Sequence, residues 1–257
     1  MSEPIPETVL SGENAPPKRI ALLACEVFAG EIAMVEAEAG ARIVRRGMFE
    51  IGLHDRPDIL RATLQEAVDT MDACEGIDAV VLAYGLCGLG TAGLRAGSHP
   101  LVIPRAHDCI TVFLGSKERY ARRQVECPGC YYYTPGWNRA RRVPGPEREA
   151  ALRADFAARF DPEDVDFLME NEKAVWASYH TSTYIRGGTT EDEIESEYAR
   201  CCASALGWKF EEIAGDTRLL HDLLRGPWDD ARFQIVPPGQ VLGHSPDDAI
   251  MKSSAPK

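Results

Sequence analysis

The sequence predicts an α/β fold, a parallel sheet with helices on both faces in a Rossmann-like arrangement, followed by a helix-rich second half. Three observations carry this. Short runs at Arg19–Cys25, Ala79–Ala83 and Leu101–Pro104 are apolar apart from the leading Arg19, and strands apolar on both faces need cover on both, the mark of a parallel sheet. Segments of helical spacing separate such runs. The second half is dominated by helical stretches that begin near an Asp, Thr or Pro, residues suited to a helix start.

Taken in order, residues 1–17 carry Pro4, Pro6, Pro16 and Pro17 without an apolar period and read as a disordered leader. Arg19–Cys25 is a buried strand and Arg42–Arg45 a second. Asp58–Cys74 places Ile59, Leu60, Leu64, Ala67, Val68 and Met71 at helical spacing, with Asp58 after Pro57 as the start signal. Ala79–Ala83 and Leu101–Pro104 are two further strands. Helices are expected at Glu147–Phe160, Pro162–Tyr179, Thr190–Leu206 and Thr217–Leu224, and short strands at Lys209–Ile213 and Arg232–Val236, the last stopped by Pro237 and Pro238. Whether these late strands extend the first sheet or build another is open. The α/β domain is expected to span 18–243, divisible into lobes at 18–144 and 145–243, with 244–257 a flexible tail.

Composition narrows the function classes. With 28 basic against 40 acidic residues in 257, the net charge of −12 excludes a general nucleic-acid binder, which needs a basic surface. No apolar stretch approaches the roughly 20 residues that span a bilayer, and the first residues lack an export signal, so a soluble, cytoplasmic protein with no membrane partner is expected. Eight cysteines then read as reduced thiols rather than a disulfide framework.

In a parallel sheet, ligands bind beyond the carboxyl ends of the strands. Cys25 closes the first strand, Cys87 follows Ala79–Ala83 within Tyr84-Gly-Leu-Cys-Gly88, and His107-Asp108-Cys109 follows Leu101–Pro104. Three thiols and an imidazole delivered to one edge make a metal-site pattern. Zinc prefers such ligands, and three thiolates with one open position equally suit a [4Fe-4S] cluster. Each thiol taken singly also reads as a small core residue.

Other features are weaker. Cys127-Pro-Gly-Cys130 is formally CxxC but reads as a turn, and Cys74, Cys201 and Cys202 read as packing residues on helices. Gly88, Gly90 and Gly93 form a GxGxxG without the crossover helix that a dinucleotide site requires. From Lys117 to Arg148, eight basic residues face three acidic ones, interleaved with Tyr131, Tyr132, Tyr133 and Trp137. This segment reads either as a solvated face or as a site for a carboxylate or phosphate. Arg105, Tyr84, Trp137 and Arg139 are the candidates for holding such a small anionic substrate.

The segments Tyr84–Gly88, Ile103-Pro-Arg-Ala-His-Asp-Cys-Ile110, Leu114-Gly-Ser116 and Tyr131–Trp137 carry a resemblance. Over about Arg19 to Pro238 the chain resembles the uncharacterised bacterial and archaeal family catalogued as domain of unknown function 1638. The resemblance implies a one-carbon context, because genes of that family often lie near those for corrinoid-dependent methyl transfer. It also marks Cys127 and Cys130 as a departure from the family pattern.

The resulting expectation is a metal-thiolate protein with Cys25, Cys87 and Cys109 as ligands, His107 as fourth ligand or acid/base, and Asp108 as a catalytic or orienting carboxylate. It would be a zinc enzyme of methyl transfer acting on a small anion. Two alternatives stand beside it: an iron-sulfur dehydratase or reductase, and a non-catalytic accessory protein delivering a metal or corrinoid to a methyltransferase.

Overall fold

A computed structural model describes residues 16–256, so the expected leader, apart from Pro16 and Pro17, lies outside the described residues. The first half follows the expected alternation: β1 (Arg19–Cys25), α1 (Ala29–Ala39), β2 (Arg42–Phe49), α2 (Pro57–Asp72), β3 (Ala79–Ala83) and β4 (Leu101–Pro104). Then come α3 (Cys109–Leu114), α4 (Lys117–Glu126), β5 (Cys130–Tyr133), α5 (Pro135–Arg139), α6 (Pro146–Ala157), α7 (Pro162–Val175), β6 (Thr181–Arg186), α8 (Asp192–Leu206), β7 (Lys209–Ala214) and α9 (Arg218–Arg225). The chain closes with β8 (Phe233–Val236), β9 (Val241–His244) and β10 (Met251–Ser254).

The larger sheet has the order β2-β1-β3-β4-β8. Its first four strands are parallel and β8 joins β4 antiparallel, so the uniformly parallel expectation is corrected to a mixed sheet. β8 follows α9 through residues 226–232 and runs against β4 at the edge of the sheet, and an antiparallel neighbour needs no parallel crossover. Alternation along β1 sorts the core into two layers. Ile20, Leu22 and Ala24 pack with Ile32 and Val35 of α1 and with Leu219, Leu220, Leu223 and Leu224 of α9. Ala21 and Leu23 pack with Leu60, Leu64, Val68 and Met71 of α2. The helix α2 starts with proline at its first position, where a missing N–H costs nothing.

The smaller sheet, β5-β6-β7, is wholly parallel. Neither β5 nor β6 was expected. Thr181, Ser182 and Thr183 of β6 are buried polar residues, so their burial comes from tertiary packing and leaves no apolar period to read. The late strands divide: β7 belongs to the smaller sheet and β8 to the larger. A cut at residue 144 is therefore corrected, since β5 pairs with β6 and β4 with β8 across it.

The tail is also corrected. β9 and β10 form an antiparallel hairpin that buries Leu242, Ile250 and Met251 against the second core layer. Arg105 anchors it: Nη1 donates to the carbonyls of Ala249 (2.8 Å) and Met251 (2.6 Å), and Nε to that of Asp230 (2.7 Å). Among the described residues no helix is long and apolar enough to cross a membrane.

Candidate functional site

The strand order reverses between β1 and β3, and four parallel strands each hand one chemistry-bearing residue to the same edge. Cys25 ends β1, His54 follows β2, Cys87 follows β3 and Cys109 follows β4. Cys25, His54, Tyr84, Cys87, Cys109 and Trp137 all line one chamber of about 20 Å³, large enough for a water or a single ion. His54, Cys87, Cys109 and Trp137 also line a second, larger cleft of about 450 Å³. The chamber thus lies at the root of a cleft of small-molecule size.

Local backbone explains the placement. Cys87 adopts φ 46° and Leu89 φ 68°, left-handed conformations uncommon outside glycine, and such departures concentrate at functional sites. The Cys87 and Leu86 amides donate to the carbonyls of His107 and Ala106, locking the β3 and β4 loops together. The loops touch at Gly85, where a Cβ would stand 2.8 Å from the backbone N and Cα of Asp108. Asp108 caps α3, its Oδ1 accepting from the Thr111 amide, and its Oδ2 accepts from the Tyr120 hydroxyl (3.1 Å). Thr134 caps α5 in the same way, which fixes Trp137 so that its indole N–H donates to Cys109 Sγ at 3.0 Å. The His54 ring meets Trp137 edge to face at 5.2 Å.

Burial pushes the Cys25 thiol up to about 11 and Cys87 up to about 12, and raises Cys109 well above the ordinary thiol range. Charges on neighbouring thiols add to each shift at Cys87 and Cys109. The bare thiols are therefore neutral at pH 7. Tyr84 is 3% exposed and its buried hydroxyl lies against the Cys25 sulfur. Burial lowers the His54 imidazole below its ordinary range. Among the described residues no three His, Cys, Asp or Glu side chains already stand as a metal-holding group. The donor set suits zinc in kind, three sulfurs and a nitrogen, but binding would require the thiols to rotate toward one another.

Several expected site residues stand elsewhere. His107 is exposed, its ring 6.4 Å from that of Tyr120, and it lines neither cavity; its carbonyl turns inward to Cys87 while its side chain turns out. Arg105 holds the tail hairpin, as above. Arg139 pairs with Glu191 at 2.9 Å, outside the cleft. Four other arginines of the basic segment are similarly engaged, Arg123 with Glu211, Arg141 with Glu195, Arg142 with Asp55 and Arg148 with Glu172. Among the described residues no Lys or Arg lines the cleft, so the basic residues expected to hold an anion stand away from it.

His54 escaped the sequence reading, although it follows β2 as the cysteines follow their strands. The signal was hidden because β2 runs on to Phe49, past the expected end at Arg45, through Gly47 and three arginines that dilute its apolar pattern. Tyr120 and Tyr179 also line the cleft, and nothing in their local sequence sets them apart.

Fold and site together define a mixed α/β protein with a thiol-lined chamber and an aromatic cleft at the carboxyl ends of its parallel strands. The chain belongs to the protein family of unknown function DUF1638, whose model matches residues 48–224. That span holds His54, Cys87 and Cys109 and begins after Cys25. No curated protein and no solved structure matches the chain.

Proposed function

We propose that this protein is a metal-thiolate enzyme acting on a small molecule in one-carbon or methyl-transfer chemistry, with zinc held by Cys25, Cys87 and Cys109 and His54 in place of His107 as the nitrogen donor. One observation carries the reading: four adjacent parallel strands deliver three thiols and an imidazole to a single ion-sized chamber at the root of a substrate-sized cleft. Zinc bound there would supply a Lewis acid that lowers the pKa of a soft nucleophile beside it. The protein's own groups do the rest. The Trp137 N–H holds the Cys109 sulfur, a bond that strengthens when the sulfur is a thiolate. The Tyr84 hydroxyl lies beside the Cys25 sulfur and would donate to it as a second thiolate. Asp108 and Tyr120 shape the cleft wall.

The small chamber suits a single ion better than a four-iron cluster, and its position behind a cleft suits an enzyme better than a carrier, which would leave its metal exposed. Anaerobic purification followed by metal analysis tests the reading. Cys25→Ser, Cys87→Ser and Cys109→Ser should each lose most of the bound zinc, His54→Ala should weaken its retention, and Cys74→Ser, Cys201→Ser, Cys202→Ser and His107→Ala should retain it. Equal metal content across these variants, or none in the wild type, overturns it.

A further inference from the structure

We infer that the cleft binds an organic cation, a methylated ammonium or sulfonium group, between the rings of Tyr120, Tyr131, Tyr132, Trp137 and Tyr179, with Asp108 as its counter-charge. The inference deepens the reading above and rests on it for the site, though not for the metal. Five of the 15 residues lining the cleft are aromatic, in a chain that is 8% Phe, Trp and Tyr, so the enrichment belongs to the cleft. Electron-rich ring faces attract a cation that cannot hydrogen-bond, and walls built of several such rings are how proteins recognise quaternary ammonium groups.

The rings are arranged as walls. Tyr131 and Tyr179 meet at 73° with centroids 5.7 Å apart, a corner rather than a stack. The cleft takes in Tyr131 and Tyr132 together because β5 is an edge strand, whose free edge exposes side chains of both faces. The electrostatics agree. Among the described residues Asp108 is the only carboxylate lining the cleft and no Lys or Arg lines it, while Arg123, Arg142 and Arg148 are held by Glu211, Asp55 and Glu172. The Tyr120 hydroxyl donates to Asp108, which makes its ring more electron-rich. A chain of net charge −12 adds a long-range attraction for cations. A cleft of about 450 Å³ holds an onium head with a short attached chain.

The test is titration of the full chain with tetramethylammonium chloride and with choline, at constant ionic strength, followed by calorimetry. The neutral isostere of choline, 3,3-dimethylbutan-1-ol, serves as the control for a merely apolar slot. Choline and tetramethylammonium should bind, and the neutral isostere at least tenfold more weakly. Asp108→Asn, which keeps the helix cap, and Tyr131→Leu should each weaken tetramethylammonium by about tenfold or more. Cys25→Ser should leave it unchanged, so that loss of the metal centre and loss of the cation site are read separately. Equal binding of the neutral isostere, displacement by acetate or phosphate, or no binding of either cation to the folded wild type overturns the inference.

Discussion

Glu31 gives the sharpest test of the electrostatics inside the fold. It lies in the first turn of α1, 2% exposed, and among the described residues neither carboxylate oxygen has a hydrogen-bond partner outside Glu31 itself. Burial is the largest influence and raises its pKa from 4.5 to about 7; its own backbone amide and Arg139 oppose the rise, while Asp192 and Glu191 add to it. Below pH 4.5 the folded and unfolded chains both carry the proton and the residue costs nothing. As pH climbs from there toward 7, the unfolded chain ionises and the folded one does not, so stability falls and then levels off. The gap corresponds to about 3 kcal/mol at about 1.4 kcal/mol per pH unit. Glu31→Gln keeps the shape and removes the titration. Unfolding followed by circular dichroism should find the variant within about 1 kcal/mol of the wild type near pH 5 and about 3 kcal/mol more stable at pH 8. At about 2–4 °C per kcal/mol for a chain of this size, that is roughly 6–12 °C in Tm. An equal gain at both pH values, or none at pH 8, would show that the carboxylate is not held in its neutral form by burial.

Two further expectations follow from the site and the hairpin. Gly85→Ala drives a methyl into the Asp108 backbone and should cost about 1–3 kcal/mol of stability; because it separates the Cys87 and Cys109 loops, zinc retention should fall as well, and a variant with wild-type Tm and metal content would refute the locking of the two loops. Arg105→Met removes three hydrogen bonds to backbone carbonyls and should cost about 1–3 kcal/mol. Hydrogen exchange should quicken in 241–254 while tetramethylammonium affinity and zinc content stay at wild-type levels; a loss of cation binding with an intact hairpin would return Arg105 to the site.

Much of the framework was legible in the residues alone. Runs such as Ile20–Ala24 and Ala79–Ala83 must be buried on both faces whatever surrounds them, and α2 announces itself by Pro57 and the spacing of Leu60, Leu64, Val68 and Met71. The position of Cys25, Cys87 and Cys109 at the strand-end loops follows from the same local pattern, because a residue just past a parallel strand has few places to go. The strand order, the second sheet and the final hairpin belong to the tertiary structure. Thr181, Ser182 and Thr183 are polar yet buried, and the short β9 and β10 are held partly by Arg105 from more than a hundred residues away. The same distinction governs the site. Whether His54 or His107 faces the thiols is decided by which way a loop turns: the β4 loop directs its carbonyl inward to Cys87 and its imidazole outward, while the loop after β2 lays His54 against Trp137. The arginines between 117 and 148 were visible as a charge excess, but the partners Asp55, Glu172, Glu191, Glu195 and Glu211 lie outside that segment. A charge is counted from the sequence one residue at a time, whereas its neutralisation depends on distances across space that only the packed chain sets.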